Sequence, residues 1–216
     1  MDFLIWLSTV GGVCTTATAR EHADARELQQ MQKDGALWVP LRGWVALDGI
    51  RNDVTRSLEL GGVVTCASAF GAHGLWTPHG DHDLHIRVHR ETHSARLNAT
   101  ARKKGVRVHR LLSRLPERRP WDGVDGILTS LAVASRCLSA SDVLAAADGA
   151  LQQGKLQRDV LAAMSDQLPK VLSRTLARAP NFRAPARSRR SPPCCDAPAS
   201  ASCSSPSCFP ASSPTS

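Results

Sequence analysis

Beyond Ala179 this chain has almost nothing from which to build a core. Residues 180 to 216 are mostly Pro, Ala, Ser, Cys and Arg, and Phe182 and Phe209 are their only large apolar side chains. So little apolar surface does not offset the conformational entropy lost on ordering, and the segment is expected to be a disordered tail. Elsewhere, no apolar run approaches the ~20 residues of a membrane span, which argues against a membrane partner. Phe3-Leu4-Ile5-Trp6-Leu7 lacks the basic leader of a signal peptide, and Gly11-Gly12 ends the run too early. Of the seven Cys, four lie in the tail, and Cys14, Cys66 and Cys137 are widely separated with no metal-ligand spacing. These absences point to a cytoplasmic chain with structural thiols, and to neither a metal nor a cofactor.

What remains is about 180 foldable residues, enough for one medium domain or two small ones. The formal net charge of the 216 residues is +8, and the tail's four Arg against one Asp leave +5 on the rest. A moderately basic body is compatible with nucleic acid without requiring it. Its cations are mostly Arg and its Ala content is high, which also suits GC-rich coding.

The first fifty residues have a compact rhythm. Asp2 is placed to cap a short helix carrying Phe3, Leu4, Trp6 and Leu7, and Thr15 or Thr16 caps a second one through about Arg20. A third helix is predicted from near Asp24 to Lys33, with Leu28 and Met31 on one face and Asp34-Gly35 as its stop. Leu37, Val39 and Leu41 then alternate as a strand, Arg42-Gly43 turns, and Trp44 to Leu47 returns. Three helices followed by a hairpin is the order of a winged helix-turn-helix, and equally of any small helical domain with a hairpin. In the winged reading the third helix enters the DNA groove, with Arg26, Gln29, Gln30 and Lys33 outward and the Leu41-Arg42-Gly43 turn near the phosphates.

From Asn52 to Arg110 a helix over Asp53 to Leu60 is expected, then a short helix over Ser68 to His73. Asp83 to His89 alternates with Leu84, Ile86 and Val88 inward, and Gly105 to His109 makes a second strand beside it. Residues 96 to 104 read as a basic loop between the two. His79, His82, His85, His89 and His93 invite a metal reading. His85 and His89, however, stand roughly 13 Å apart along one strand, too far to share an ion with bonds near ~2 Å. Exposed strand and loop histidines are the preferred assignment. The stretch Val124 to Ala179 is helical. Ile127, Leu128, Leu131 and Val133 form one apolar stripe, and Ser139 or Ser141 caps a helix with Val143, Leu144, Ala147 and Leu151. Further helices run over Leu156 to Met164 and Leu168 to Leu176. Asp142, Asp148, Asp159 and Asp166 read as caps and solvated positions.

Several phrases in order carry a likeness: Arg42-Gly43-Trp44-Val45-Ala46, Gly61-Gly62-Val63-Val64-Thr65-Cys66-Ala67-Ser68-Ala69, Gly74-Leu75-Trp76, Leu84-His85-Ile86, Gly105 to Arg110, and Asp148-Gly149-Ala150-Leu151. Over about residues 2 to 179 the chain resembles a family common in high-GC actinobacteria. Its members begin with a winged helix like that of AbiEi-type antitoxins of abortive-infection systems, and often end in a domain similar to very-short-patch-repair endonucleases. The resemblance implies an α+β chain. A winged helix-turn-helix would occupy residues 1–50, an antitoxin-like α+β region ending in helices 51–179, and a tail 180–216. It implies a DNA-binding or regulatory protein of a type IV toxin–antitoxin system, without catalytic activity or cofactor. Its partners would be double-stranded DNA and a cognate toxin. Arg26, Gln29 and Lys33 would read or flank bases, while Thr15, Thr16, Arg20 and Arg42 hold phosphates. The chain departs from the family where Glu21-His22-Ala23-Asp24 replaces a basic, Gly-containing turn and where Gln29-Gln30 stand at positions often filled by Arg. Both changes weaken phosphate attraction.

The tail supports two readings. One is a flexible, weakly basic extension. The other is a shifted frame, because Ser and Cys codons read from the preceding wobble base become codons for Leu, Ile, Val, Phe or Met. The family's nuclease domain opens near this point with a helix resembling S-E-S-x-x-x-x-L-L-R-R-A-G-I-R-V, and the out-of-frame tail accommodates that phrase. The alternative function is therefore an inactive, truncated fragment of a nuclease-fusion protein. In frame, residues 180 to 216 hold one acid, Asp196, and no Lys. They lack the clustered carboxylates that a Mg²⁺-dependent phosphodiesterase requires.

Overall fold

The computed structural model describes residues 2–89, 92, 95–110, 120–163 and 168–178. Two compact units divide the chain, Met1–Ala184 and Pro185–Ser216, and the second lies outside the described residues. His93, Asp166 and the tail expectations fall outside them as well.

The N-terminal elements follow the caps that the sequence supplies. Asp2 accepts from the Leu4 N–H and starts α1 (Phe3–Thr9). A short strand, β1 (Val13–Thr15), leads into α2 (Thr16–Ala19), whose cap is Thr15. α3 (Ala25–Lys33) opens with a capping box: Asp24 Oδ1 accepts from the backbone of Arg26 and Glu27, and the Glu27 carboxylate accepts from the Asp24 N–H. Asp24→Ala removes an exposed cap and is expected to cost about 1 kcal/mol, within 0.5–2. A urea melt of the variant against the parent reads this directly. The hairpin is β2 (Leu37–Trp38) with β3 (Trp44–Leu47), and β3 is central in a sheet of order β1-β3-β2, antiparallel throughout. The first hairpin strand is shorter than the alternation of Leu37, Val39 and Leu41 suggests. It stops at Trp38, and Val39 is exposed. Phe3, Leu7, Cys14, Ala19, Leu28, Leu37 and Val45 form the core beneath this sheet.

Asn52 caps α4 (Asp53–Glu59), which is followed by β4 (Val63–Val64), α5 (Cys66–Ala72) and β5 (Leu84–Val88). Residues 96 to 104 are not a loop: α6 spans Ala95–Lys103 and leads to β6 (Val106–Arg110). The physical reason is strand direction. β5 and β6 pair in parallel, and parallel neighbours need a crossover rather than a turn. β4 is antiparallel to β5, giving a second sheet of order β4-β5-β6.

Both faces of β5 are covered. Leu84, Ile86 and Val88 pack with Ala101 and Val106 on the apolar side. His85 and Arg87, on the other side, are also buried, at 0% and 3% exposure. The expectation that only the apolar residues of this strand point inward is therefore corrected, as is the assignment of His85 to an exposed position. The buried polar face is held by Arg87, which donates from Nε and Nη2 to Asp125 Oδ2 and Oδ1 at 2.6 and 2.7 Å. α7 (Ile127–Ala134), α8 (Ala140–Gln152), α9 (Arg158–Ala163) and α10 (Lys170–Arg178) are the remaining helices among the described residues. Ser139 caps α8, and Phe70, Leu131, Val143, Ala147, Leu156 and Leu172 share the helical core. Among the described residues no helix is long and apolar enough to cross a membrane.

The first fifty residues are not walled off from the middle of the chain. Val13, Trp44 and Ala46 share a core cluster with Leu58 and Val63, and the Thr15 N–H donates to the Trp121 carbonyl at 2.9 Å.

Candidate functional site

Two places in the fold gather chemistry-bearing side chains. The first is the outward face of α3. Leu28 is buried and Met31 half-buried, which turns Arg26, Gln29, Gln30 and Lys33 to the exposed side. Gln30 spends its amide on Asp34, donating from Nε2 to Oδ1 at 2.8 Å. Arg20 and Arg42 are exposed too, and among the described residues Arg20, Arg26, Lys33 and Arg42 make no ion pair. Thr15 and Thr16 differ from these. Both are half-buried, and Thr15 Oγ1 is already engaged with the Thr18 N–H and hydroxyl at the start of α2. The Thr16 N–H donates to the Gly43 carbonyl, which fastens α2 to the hairpin turn. Glu21 and Asp24 stand exposed between α2 and α3, and Asp24 is occupied by its capping role.

The second place is not legible from spacing. Cys66 at the start of α5, His85 on β5, His109 on β6 and Cys137 just after α7 bring one ligand atom each to within 4.8 Å of one another. Among the described residues this is the group of side chains suited to hold a metal ion. Strand register explains half of it. Parallel pairing sets His85 opposite Arg107 and Arg87 opposite His109, so all four side chains share one face of the sheet. His109 Nε2 lies 3.1 Å from His85 Nδ1, and the two rings are partly stacked with centroids 5.1 Å apart. Cys137 Sγ lies 3.8 Å from the same His85 Nδ1, and Arg107 Nη1 donates to it at 3.6 Å. On the far side of the ring, His85 Nε2 is 3.0 Å from Asp81 Oδ2. That approach is close enough for an ion pair but lies off the line of an aligned hydrogen bond, so the nitrogen has no well-directed partner among the described residues. Cys66 and His85 are fully buried, while Cys137 and His109 are half-buried.

The two thiols share their protons unequally. Hydrogen bonding from Cys66 holds the Cys137 thiol far below its ordinary range; burial opposes this, and His109, His85 and Arg107 add to it. The same hydrogen bond, together with burial, pushes Cys66 far upward. Cys14 is a different case: buried in the N-terminal core, it is pushed up to about 11 by burial and stays a neutral, structural side chain. The remaining loop histidines, His79 and His82, and the strand-end His89 are exposed and outside the cluster.

No family model and no curated protein matches this chain. Among solved structures it is similar to the crystal structure of RV2827C protein from Mycobacterium tuberculosis. The likeness has 14% sequence identity and a TM-score of 0.35, covering 81% of this chain and 75% of that one.

Proposed function

We infer that the first fifty residues are a winged helix-turn-helix that binds double-stranded DNA. In this reading the protein is a cytoplasmic, non-catalytic regulator resembling AbiEi-type antitoxins. The observation that carries the reading is the order helix, strand, helix, helix, hairpin, with β1 pairing to the second hairpin strand and α3 facing outward. That arrangement suits a recognition helix in the major groove and a hairpin turn over the neighbouring phosphates. Arg26, Gln29 and Lys33 lie along the exposed side of α3, in reach of base edges. Arg20 and Arg42 contribute charge to the backbone, and Thr16 contributes a hydroxyl. Thr15 serves the DNA face indirectly, by holding α2 in place. A cognate toxin is the second partner, and the free state of Cys14, Cys66 and Cys137 is in keeping with a reducing compartment.

The test is fluorescence anisotropy with a duplex carrying the gene's own upstream region, at several salt concentrations. Arg20 and Arg42, the two cations placed at the backbone, predict a log–log salt slope of roughly −2. Arg20→Ala and Arg42→Ala should each reduce the slope by about one, while Arg26→Ala should weaken binding and relax its sequence preference. Absence of binding at low salt, or binding indifferent to salt, would overturn the reading.

A further inference from the structure

We propose that Cys66, His85, His109 and Cys137 form a closed, structural zinc site that ties the helical C-terminal part of the fold to the β4-β5-β6 sheet. Two sulfurs and two imidazole nitrogens are a borderline-soft donor set, which suits four-coordinate zinc. With bonds of ~2.3 Å to sulfur and ~2.0 Å to nitrogen, a tetrahedron has edges of roughly 3.3–3.8 Å. The observed nitrogen–nitrogen and sulfur–nitrogen separations of 3.1 and 3.8 Å bracket that range. All four donor atoms lie within 4.8 Å of one another, so only sub-ångström to one-ångström adjustments close the shell.

The surroundings agree with this assignment. His85 turns Nδ1 toward Cys137 and His109, leaving Nε2 beside the Asp81 carboxylate at 3.0 Å. A carboxylate behind a ligating imidazole orients the ring and raises its basicity, and a modest ring rotation completes that contact. Arg107 sits at the rim, 3.6 Å from Cys137 Sγ and 3.1 Å from Asp83 Oδ2, and offsets thiolate charge on the accessible side. Cys66 has φ 54, the only non-glycine residue with positive φ among the described residues. A left-handed conformation is unfavourable for an L-residue, and residues held this way concentrate where a side chain must be aimed. Cys66 and His85 are fully buried, where four converging polar groups without an ion would carry a desolvation cost that apolar residues avoid. Four protein ligands leave no open position, so the ion holds structure and does not activate water. Its structural reach is long, because Cys137 is the first anchor after α7 and precedes the whole of α8, α9 and α10.

The full chain, purified under reducing conditions without a metal column, is expected to carry one zinc per chain by mass spectrometry. After chelation, cobalt(II) should give the visible bands of a tetrahedral site with thiolate charge transfer. Cys137→Ser, at a half-buried position, should weaken cobalt binding by more than about 100-fold, and Asp81→Asn by about 10–100-fold. A variant with Cys194, Cys195, Cys203 and Cys208 all replaced by Ser should keep its zinc and its cobalt spectrum. Less than a tenth of an equivalent of zinc in the reduced parent, with no tetrahedral cobalt spectrum, would overturn the proposal. So would a Cys66–Cys137 disulfide in the isolated protein, or metal lost with the tail cysteines and kept in Cys137→Ser. The parent measurements need no variant, so they decide the question even where a mutant folds poorly.

Discussion

Asp125→Ala is expected to destabilise the protein by about 3–5 kcal/mol, a large share of the ~5–15 kcal/mol that holds a domain folded. The pair it breaks is bidentate and almost dry: Arg87 is 3% exposed, Asp125 2%, and the two contacts are 2.6 and 2.7 Å. Removing the carboxylate takes away the bidentate partner of a buried guanidinium, and breaking a buried pair from one side costs this much. Replacing both partners, as Arg87→Met with Asp125→Leu, should cost less than either single change, because neither member of the pair is then left without the other. The exposed pair Arg56–Asp53 gives the contrast. Its side chains are 46% and 60% exposed, and Arg56→Ala should cost no more than about 1 kcal/mol. Urea unfolding of the parent and these variants decides the matter. A loss below 1 kcal/mol in Asp125→Ala would mean that water reaches the pair.

The same buried polar face explains which parts of the structure are legible in the sequence and which are not. Caps with short polar side chains announce themselves locally: Asp2, Thr15, Asp24 and Ser139 each begin the helix that their positions suggest. β5 misleads because a period of two ordinarily marks one wet face and one dry one. Here the polar set, His85 and Arg87, is buried against Asp125 and Cys137, so alternation marks two kinds of core. α6 reads as a basic loop because its surface is mostly polar, with Leu97 and Ala101, four apart, as its contacts to the sheet. The Cys66–His85–His109–Cys137 group escapes any spacing rule because each member comes from a different part of the chain. Distance along a single strand does keep His85 and His89 from sharing an ion. His85 meets its histidine neighbour across the sheet instead, through a register that parallel pairing sets. The out-turned cations of α3 are legible, since Leu28 and Met31 fix the helix's inner face. The occupation of Thr15 by its own cap bond is not, because only the folded backbone brings Thr18 within its reach.

Gly123→Ala is expected to cost roughly 2–5 kcal/mol, from a left-handed penalty of about 1–2 and overpacking of about 1–3. Gly123 has φ +76, and a Cβ there would lie 2.5 Å from Val54 Cγ1 and 3.5 Å from the Trp44 ring. Val54 is β-branched and stiff about χ1, so it does not swing aside as a long side chain would. The backbone has little freedom to yield either. The Gly123 carbonyl accepts from the Val64 N–H at 2.9 Å, and the Asp125 N–H donates to the Val64 carbonyl at 2.8 Å. Gly149→Ala is the control of opposite sign: it lies within α8 with nothing within 4 Å of the new methyl. It should stabilise by about 0.5–1 kcal/mol through helix propensity. Because any backbone shift that relieves Gly123→Ala also drags Asp125, its cost should not add simply to that of Asp125→Ala. A double variant equal to the sum of its parts within ~0.5 kcal/mol would show that the two sites relax independently. A Gly123→Ala loss below about 1 kcal/mol would show that residues 120–124 move away from Val54 at little expense, leaving the Arg87–Asp125 pair undisturbed.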